Sequence, residues 1–442
     1  MRKLALGGSL STLQWFMFLL ASSISLPIVI GGMFHLSPEE ISSLMQRTFL
    51  VVGLSSFLQG WIGHRYPIAD GPAGSWVSVF VIMADVAVKQ GGSARDMLPL
   101  LEGGVAIAAL LLVVLGLTGW VHKLLFLFTP LVTGTFLFLL ALQLSGVFVK
   151  GMLGLQGAAV RPDPATALVS IAIFGLVLLL SLKGRGWVKQ YAVMIGIISG
   201  WAGYGLLGLS GGSPAAAAAP VQLPELFAWG APQWDAGIAL TAALFTFILL
   251  SNTIAAVTAV RDAMPPEPVR DPKRTLNRGV FAGGLSHGIA ALFSTIAVVP
   301  LPVTAGFIRI TEQTRLRPFL VAALLFAGIS FVPAVVRAVA MLPGPVASAA
   351  LLASFVQMIV IAMQSISKEA LDLRRLTIFG ITLVCSVGLM FLPAEAFQGL
   401  PPMLAYVFGN ALLFGTILVT LLEQLWRPAE AGAKSGLRRD SL

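Results

Sequence analysis

PIADGPAGSWVSVFVIMADVAV, residues 67–88, and AVVPLPVTAGFIRITE, residues 297–312, are the stretches whose reading decides the fold. Each is apolar enough for a membrane interior, yet each opens on residues that interrupt a helix: Pro67, Gly71, Pro72 and Gly74 in the first, Pro300 and Pro302 in the second. Proline removes a backbone donor and clashes with the preceding turn, and glycine weakens a helix interior. The spacing therefore predicts, in each, a short extended strand feeding a half-helix. Irregular backbone at membrane depth has to be covered by protein or to line a cavity.

The surrounding sequence supplies that membrane setting. Only 11% of residues are charged and 57% are hydrophobic, against roughly 25% charged in a soluble domain. A helix crosses the hydrocarbon layer in about 20 residues. Breaking the 442 residues at charges, Pro and Gly gives apolar segments at 10–34, 40–62, 67–88, 97–118, 124–148, 164–182 and 190–210. Seven more follow at 235–260, 276–296, 297–312, 316–341, 344–366, 373–392 and 401–425. The first is too long for a signal-peptide core and lacks a cleavage pattern, so it reads as a retained span. The fold class expected is an all-α polytopic membrane protein of 14 transmembrane segments.

The net charge of +9 matters less than where it lies. Of the 28 lysines and arginines, Arg47, Arg309 and Arg337 fall within segments, and Lys89, Arg95, Lys150 and Arg161 fall in odd-numbered connections. The other 21 lie in or beside the even-numbered connections and in the tails. Cytoplasmic loops retain such an excess, so both termini are expected in the cytoplasm, with the chain multi-pass in the cell membrane. An odd number of spans would scatter the asymmetry. Tryptophans 61, 120, 187, 229, 234 and 426 fall near segment ends, where indoles favour the headgroup level. The Pro/Ala/Gly-rich run GGSPAAAAAPVQLPE, 211–225, has no helical periodicity and no positive charge, and reads as an exposed connection.

The two broken segments are the third and the tenth, equivalent places if the chain is two seven-span units. TPLVTGTFLFLL (129–140) and PGPVASAALLAS (343–354), in the fifth and twelfth, share a proline near valine and small residues. Seven is odd, so the units have opposite orientations. Matching interrupted spans in inverted halves point to a transporter's midplane site. The division expected is a first repeat over 1–210, an extracytoplasmic linker over 211–234, a second repeat over 235–426 and a cytoplasmic tail over 427–442.

Soluble chemistry finds little support. The single cysteine, Cys385, sits in an apolar run, reads as a packing residue and excludes an intrachain disulfide or a cysteine-rich metal site. GGLSHG (283–288) lacks the strand context of a nucleophile elbow, and no P-loop is present. No enzyme activity, cofactor, metal set or nucleic-acid partner is expected. His287, a lone imidazole beside glycine, reads as a packing residue.

Four stretches carry a family resemblance: LQWFMFLLASSISLPIVIG (13–31), the glycine-rich interruption of the third segment, PLVTGTFLFLLALQLSG (130–146), and VRDAMPPEPVRDPKRTLNRGVFAGGLSHGIAALFST (260–295). In this order and spacing the chain resembles nucleobase cation symporter-2, the nucleobase-ascorbate transporters, along nearly its full length. The resemblance implies a core of spans 1 to 4 and 8 to 11 (1–118 and 235–341) moving against a gate of spans 5 to 7 and 12 to 14 (119–210 and 342–426). It also implies a homodimer and a secondary active transporter of a nucleobase such as uracil, xanthine or a related purine or pyrimidine, coupled to protons and working by alternating access. Family members place base-contacting glutamates in spans eight and ten. Here the matching positions are Ser251, or Asn252 if the register slips by one, and Val303. Both carboxylates are missing, and the chain is similar to an atypical uracil/xanthine permease-like branch whose acid precedes GPAG. In this sequence that acid is Asp70.

Asp70 thus has two readings. An ionisable group at an interrupted span is functional by default, which makes it the candidate to bind a base N–H and couple a proton. Alternatively its charge is neutralised structurally by Arg309 or by the amides of the following half-helix. The half-helix N-termini, near Ala73 to Trp76 (through Gly74 and Ser75) and Thr304 to Phe307, offer donors to a base carbonyl or a small anion. Gly71 and Gly74 allow close approach. Ser251 and Asn252 offer hydrogen bonds of both kinds, while Trp76 and Phe355, the latter matching a family aromatic, are candidates to stack on a planar ligand. Asp85, Glu102 and Arg47 lie toward outer segment ends as structural or gating charges. Two alternatives remain: an anion transporter of the sulphate-permease-like fold, using the half-helix N-termini and Arg309, and a non-transporting membrane receptor.

Overall fold

The structure, a computed structural model, describes residues 2–76, 79–80, 93–155, 161–185, 187–209, 220–265, 271–397, 400 and 402–426. Asp85 and most of the glycine- and alanine-rich run after 210 lie outside the described residues. The described chain is almost wholly helical. Its first half contains α1 (Arg2–Ser23), α2 (Ser25–Met33), α3 (Pro38–Trp61), α4 (Leu98–Thr118), α5 (Pro130–Met152), α6 (Pro164–Lys183) and α7 (Ala192–Leu206). The second contains α8 (Ala236–Ala263), α9 (Pro272–Leu292), α10 (Thr304–Thr311), α11 (Leu316–Ile329), α12 (Pro333–Ala340), α13 (Gly344–Ile366), α14 (Leu373–Met390), α15 (Pro402–Gly409) and α16 (Ala411–Leu425). Among the described residues, eight helical spans are long and apolar enough to cross a membrane.

Helix starts follow one local recipe. A polar residue accepts a hydrogen bond from an amide of the first turn and proline follows it, as at Ser37–Pro38, Thr129–Pro130, Asp163–Pro164 and Asp271–Pro272. The cap satisfies an orphan donor, and proline costs nothing where no intrahelical bond is due. This recipe moves boundaries away from the apolar pattern. α5 begins at Pro130 rather than near 124, and α9 begins at Pro272 rather than 276. The expected segment 10–34 breaks at Ile24 into α1 and α2. Segment 316–341 is two helices that meet at 91°, because Pro333 opens α12 after a non-helical turn.

Residues Asp70–Pro72 (β1) and Val298–Pro300 (β2) pair antiparallel, with Asp70 opposite Pro300, Gly71 opposite Val299 and Pro72 opposite Val298. Residues 74–76 and 79–80 are helical after β1, as α10 is after β2. Around this pair α3 packs on α11, α4 on α9, α1 on α11 and α8 on α4. Beside them α5 packs on α13, α6 on α7, α14 on α16, α5 on α16 and α13 on α7. The closest approaches rest on glycine. A Cβ on Gly53 of α3 would sit 2.5 Å from the Ala327 amide of α11, and one on Gly284 of α9 would sit 2.6 Å from the Val113 amide of α4. Small residues at crossings of this kind let membrane helices approach backbone to backbone.

Polarity is arranged for a bilayer. Leu168, Leu179 and Leu182 on α6, Leu206 on α7 and Val384 on α14 are exposed apolar side chains, an outer surface that lipid covers. Cys385 shares it: the thiol is exposed on α14 rather than packed. The described part of the connection between halves does more than link them. Gln222 N–H donates to Phe331 O (3.1 Å), Phe227 N–H to Leu292 O (3.0 Å) and Gln233 N–H to Pro99 O (2.9 Å), so 220–234 straps the ends of α4, α9 and α11. Beneath the strap the buried Arg47 donates to Phe293 O (3.1 Å) and Ser294 O (2.5 Å) and lies 5.7 Å from the Trp229 ring centre. Glu102, also buried, accepts from Ser294 Oγ at 2.9 Å. Arg47 thus satisfies two carbonyls of the turn that follows α9.

Candidate functional site

The strand pair brings the starts of both half-helices to one place, and a cavity of about 190 Å³ opens there. One wall is β1, β2 and their half-helices, contributing Gly74, Ser75, Leu301 and Val303; α1 adds Gln14 and Phe18 and α8 adds Asn252. The facing wall comes from α5 (Leu144, Phe148), the segment before α7 (Lys189, Tyr191) and α13 (Phe355).

Five of the expected residues therefore line the cavity: Gly74, Ser75, Asn252, Val303 and Phe355. Asn252 is locked by an Nδ2 hydrogen bond to Pro300 O at 2.9 Å. That leaves its Oδ1 and second N–H to present a paired acceptor and donor. Ser75 is 2% exposed and its Oγ has no hydrogen-bond partner. It is a buried hydroxyl with unused capacity, which costs about 1–3 kcal/mol until something binds it. The amides at 74 and 75 belong to a first helical turn and have no intrahelical acceptor. Phe355 packs against Phe148, ring centres 5.1 Å apart.

The other candidates lie behind this lining. Asp70 is fully buried: its amide donates to Ser56 Oγ at 3.0 Å, its Oδ2 contacts Ser55 Oγ and its Oδ1 has no partner. Arg309 does not neutralise it. The guanidinium reaches Gln364 Oε1 of α13 at 2.5 Å, and no ion pair joins Arg309 to Asp70 among the described residues. A Cβ on Gly71 would meet Leu301 at 2.6 Å. Ala73 is buried, its amide bonded to Ala297 O at 2.8 Å. Trp76 is a wedge between helices, its ring centre 4.5 Å from Phe245 of α8 and its Nε1 donating to His287 Nε2 at 3.4 Å. The ring is fully buried and does not line the cavity. His287 bonds Gly283 O through Nδ1 at 2.9 Å, so it is a satisfied packing residue. Ser251 turns its hydroxyl back to Phe247 O at 2.9 Å, and of the two it is Asn252 that lines the cavity. Thr304 is buried with its Oγ1 unpartnered.

Sequence reasoning passed over an aromatic pair. Phe18 and Phe307 line the cavity and stack on each other with centres 4.4 Å apart and planes at 30°, backed by Trp15 at 4.7 Å from Phe307. Phe307 lies in the quoted half-helix and Phe18 in the quoted LQWF stretch. In segments this uniformly apolar, nothing in the pattern says which aromatic faces inward.

Residues 7–395 match the family model Xan_ur_permease, described as a permease family. The chain belongs to the nucleobase-ascorbate transporter family. Among relatives of this family, the putative purine permease YwdJ of Bacillus subtilis (strain 168) is 32% identical over 433 residues, covering 95% of this chain and 96% of the relative. The uric acid permease PucK of the same organism is 22% identical over 420 residues, covering 94% of each. Members are permeases, and this nucleobase-ascorbate transporter family protein is a transporter rather than an enzyme. Its fold is similar to the transmembrane domain of a cyanobacterium bicarbonate transporter, BicA, with a TM-score of 0.58 at 12% identity, covering 93% of this chain and 96% of that one.

Proposed function

We propose that the protein is a secondary active transporter of a purine or related nucleobase, binding the base in the cavity where the half-helices face α5 and α13. The observation that carries this reading is the lining itself. Asn252 presents an amide edge, Ser75 and the amides at 74 and 75 present donors, and Phe18, Phe307 and Phe355 present aromatic surface. A planar heterocycle with alternating N–H and C=O groups fits that set, because concave, mostly apolar sites with a few placed polar groups fix orientation. Asn252 takes the place of a glutamate.

The architecture proposed is 14 spans in two inverted repeats of seven. It is supported by the packing: exchanging each span for the one seven further along carries α3–α11 onto α9–α4, α1–α11 onto α8–α4, α6–α7 onto α14–α16, and α5–α16 onto α13–α7. The α5–α13 and β1–β2 contacts map onto themselves, as an antiparallel strand pair on a two-fold axis does. In this reading the core (1–118 and 235–341) moves against the gate (119–210 and 342–426), with the cavity between them. The cavity reaches Ser181 and Lys189, which flank the basic connection assigned to the cytoplasm, so this conformation is the inward-facing one. Asp70 is the proton-coupling residue, acting from behind the lining. The protein works as a homodimer in the cell membrane with both termini cytoplasmic.

Uptake into proteoliposomes tests the reading with a panel of uracil, xanthine, guanine, uric acid, sulphate and bicarbonate. Saturable entry of at least one base, driven by an inward proton gradient, is expected. Entry of sulphate or bicarbonate alone would replace it with the anion reading, for which the BicA likeness speaks at the level of fold only. Movement of no solute would favour a receptor.

A further inference from the structure

Three buried oxygens stand in file behind the cavity. Asp70 Oδ2 of β1 contacts Ser55 Oγ of α3; Ser55 Oγ lies 2.7 Å from Ser286 Oγ of α9; and Ser286 Oγ lies 2.9 Å from the carbonyl of Ala282. All three side chains are fully buried. The file contains three hydrogen bonds, and its two hydroxyls supply two protons. The last acceptor, a carbonyl oxygen, supplies none. Reading back from Ala282, Ser286 donates to the carbonyl and Ser55 donates to Ser286. The third bond then needs a proton on Asp70 Oδ2.

We propose that Ser55 and Ser286 are the positioning residues of the proton-coupling device, forming a hydroxyl file that holds Asp70 protonated in this conformation and reverses when Asp70 ionises. The proposal rests on the role given to Asp70 above. In the ionised state Ser286 turns its proton from Ala282 O to Ser55, and Ser55 donates to the carboxylate. The Ala282 carbonyl keeps its helical amide partner, so the reversal leaves no group of the file stranded. One proton is taken up or released by the carboxyl, the Ser55–Ser286 hydrogen bond reverses, and the Ser286–Ala282 hydrogen bond is the one given up. The file joins three elements, and any shift of α3 against α9 alters the donors available to Asp70.

Among the described residues, the elements packed against β1 bring no charged group beside the file; His64, on the connection from α3, is buried and accepts the Tyr66 N–H at Nδ1 (3.1 Å). α1 carries no ionisable residue over 9–23, and β2 carries none. On α3, Glu39, Glu40 and Arg47 lie eight or more residues before Ser55, about 12 Å or more along the helix. α8, behind β2, carries Arg261 and Asp262 only at its end. On α9, Lys273, Arg274 and Arg278 lie toward its start, and His287 is neutral, with Nδ1 on Gly283 O and Nε2 accepting from Trp76.

The test compares proton-driven uptake against pH in Ser55→Ala and Ser286→Ala, with substrate counterflow at equal pH as the measure of intact transport. Removing Ser55 takes the donor from the ionised carboxylate, so the alkaline limb of the uptake curve moves to higher pH by about one unit. Removing Ser286 strands the Ser55 donor in the protonated state but only a lone pair of Ser55 in the ionised state; the stranded donor costs more, so the limb moves to lower pH. Ser55→Thr restores the wild-type curve. Shifts in the same direction, or no shift with counterflow intact, overturn the proposal. Loss of counterflow in the wild type would instead remove the transport reading. The hydrogen count is then still decided by infrared difference spectra of wild type against Asp70→Asn at neutral pH, where a protonated-carboxyl band is expected and its absence refutes the file.

Discussion

In the site proposed above, a side chain that cannot ionise, Asn252, stands where a carboxylate is expected. Its amide is held by Pro300 O, the last residue of β2, so its free edge is aimed by the broken span itself. Asn252→Leu removes that edge while keeping the volume. We expect KM for the transported base to rise by about tenfold or more, the worth of one to two hydrogen bonds, with the amount of folded protein unchanged; counterflow kinetics measure it. A KM within twofold of wild type would place recognition elsewhere in the lining. Asp70 and Asn252 were legible in the sequence because a charge or amide in an apolar segment stands out on energetic grounds alone. Phe18 and Phe307 were not, and Trp76 was misassigned to stacking. Aromatic rings are at home on every face of such helices, so only packing separates the wedge from the lining.

At the scale of elements, the broken spans were readable because proline and glycine act locally. The 91° turn between α11 and α12 has a local cause too, Pro333, but one proline inside a continuous apolar run does not say whether the helix kinks or breaks. Helix starts were displaced because caps do not coincide with the edges of the apolar runs: Thr129 sits inside the run 124–148 and Asp271 ahead of the run 276–296. The crossings of α3 with α11 and of α4 with α9 depend on absent side chains. Gly53→Val puts carbon atoms where the Ala327 amide and the Ala323 carbonyl now lie. Rigid backbone cannot yield as a leucine tip does, so overpacking of about 1–3 kcal/mol or more is expected. The check is the melting temperature in detergent, which should fall clearly in Gly53→Val. It should fall little in Gly306→Ala, where a Cβ meets nothing within 4 Å.

For the molecule as a whole, the proposed orientation, with the basic connections cytoplasmic, is what makes the cavity open inward. With Cys385 replaced by serine, a cysteine at Ser213 should react with an impermeant maleimide from outside intact cells, and one at Ser435 only after the membrane is opened. The reverse pattern would turn the topology over and make the cavity outward-facing. The fold's interlocking also bears on how the protein is made. β1 pairs with a strand that lies some 230 residues later in the chain. At roughly 5–20 residues per second of synthesis, that partner arrives about 10–50 s after β1. Through that interval Asp70 and the unpaired strand amides sit in an unfinished half, where each unsatisfied group costs free energy in lipid. The ribosome-bound chain therefore has to be sheltered at the insertion site until the second strand arrives, and slowing translation between residues 72 and 300 should cost yield more than slowing it after residue 300.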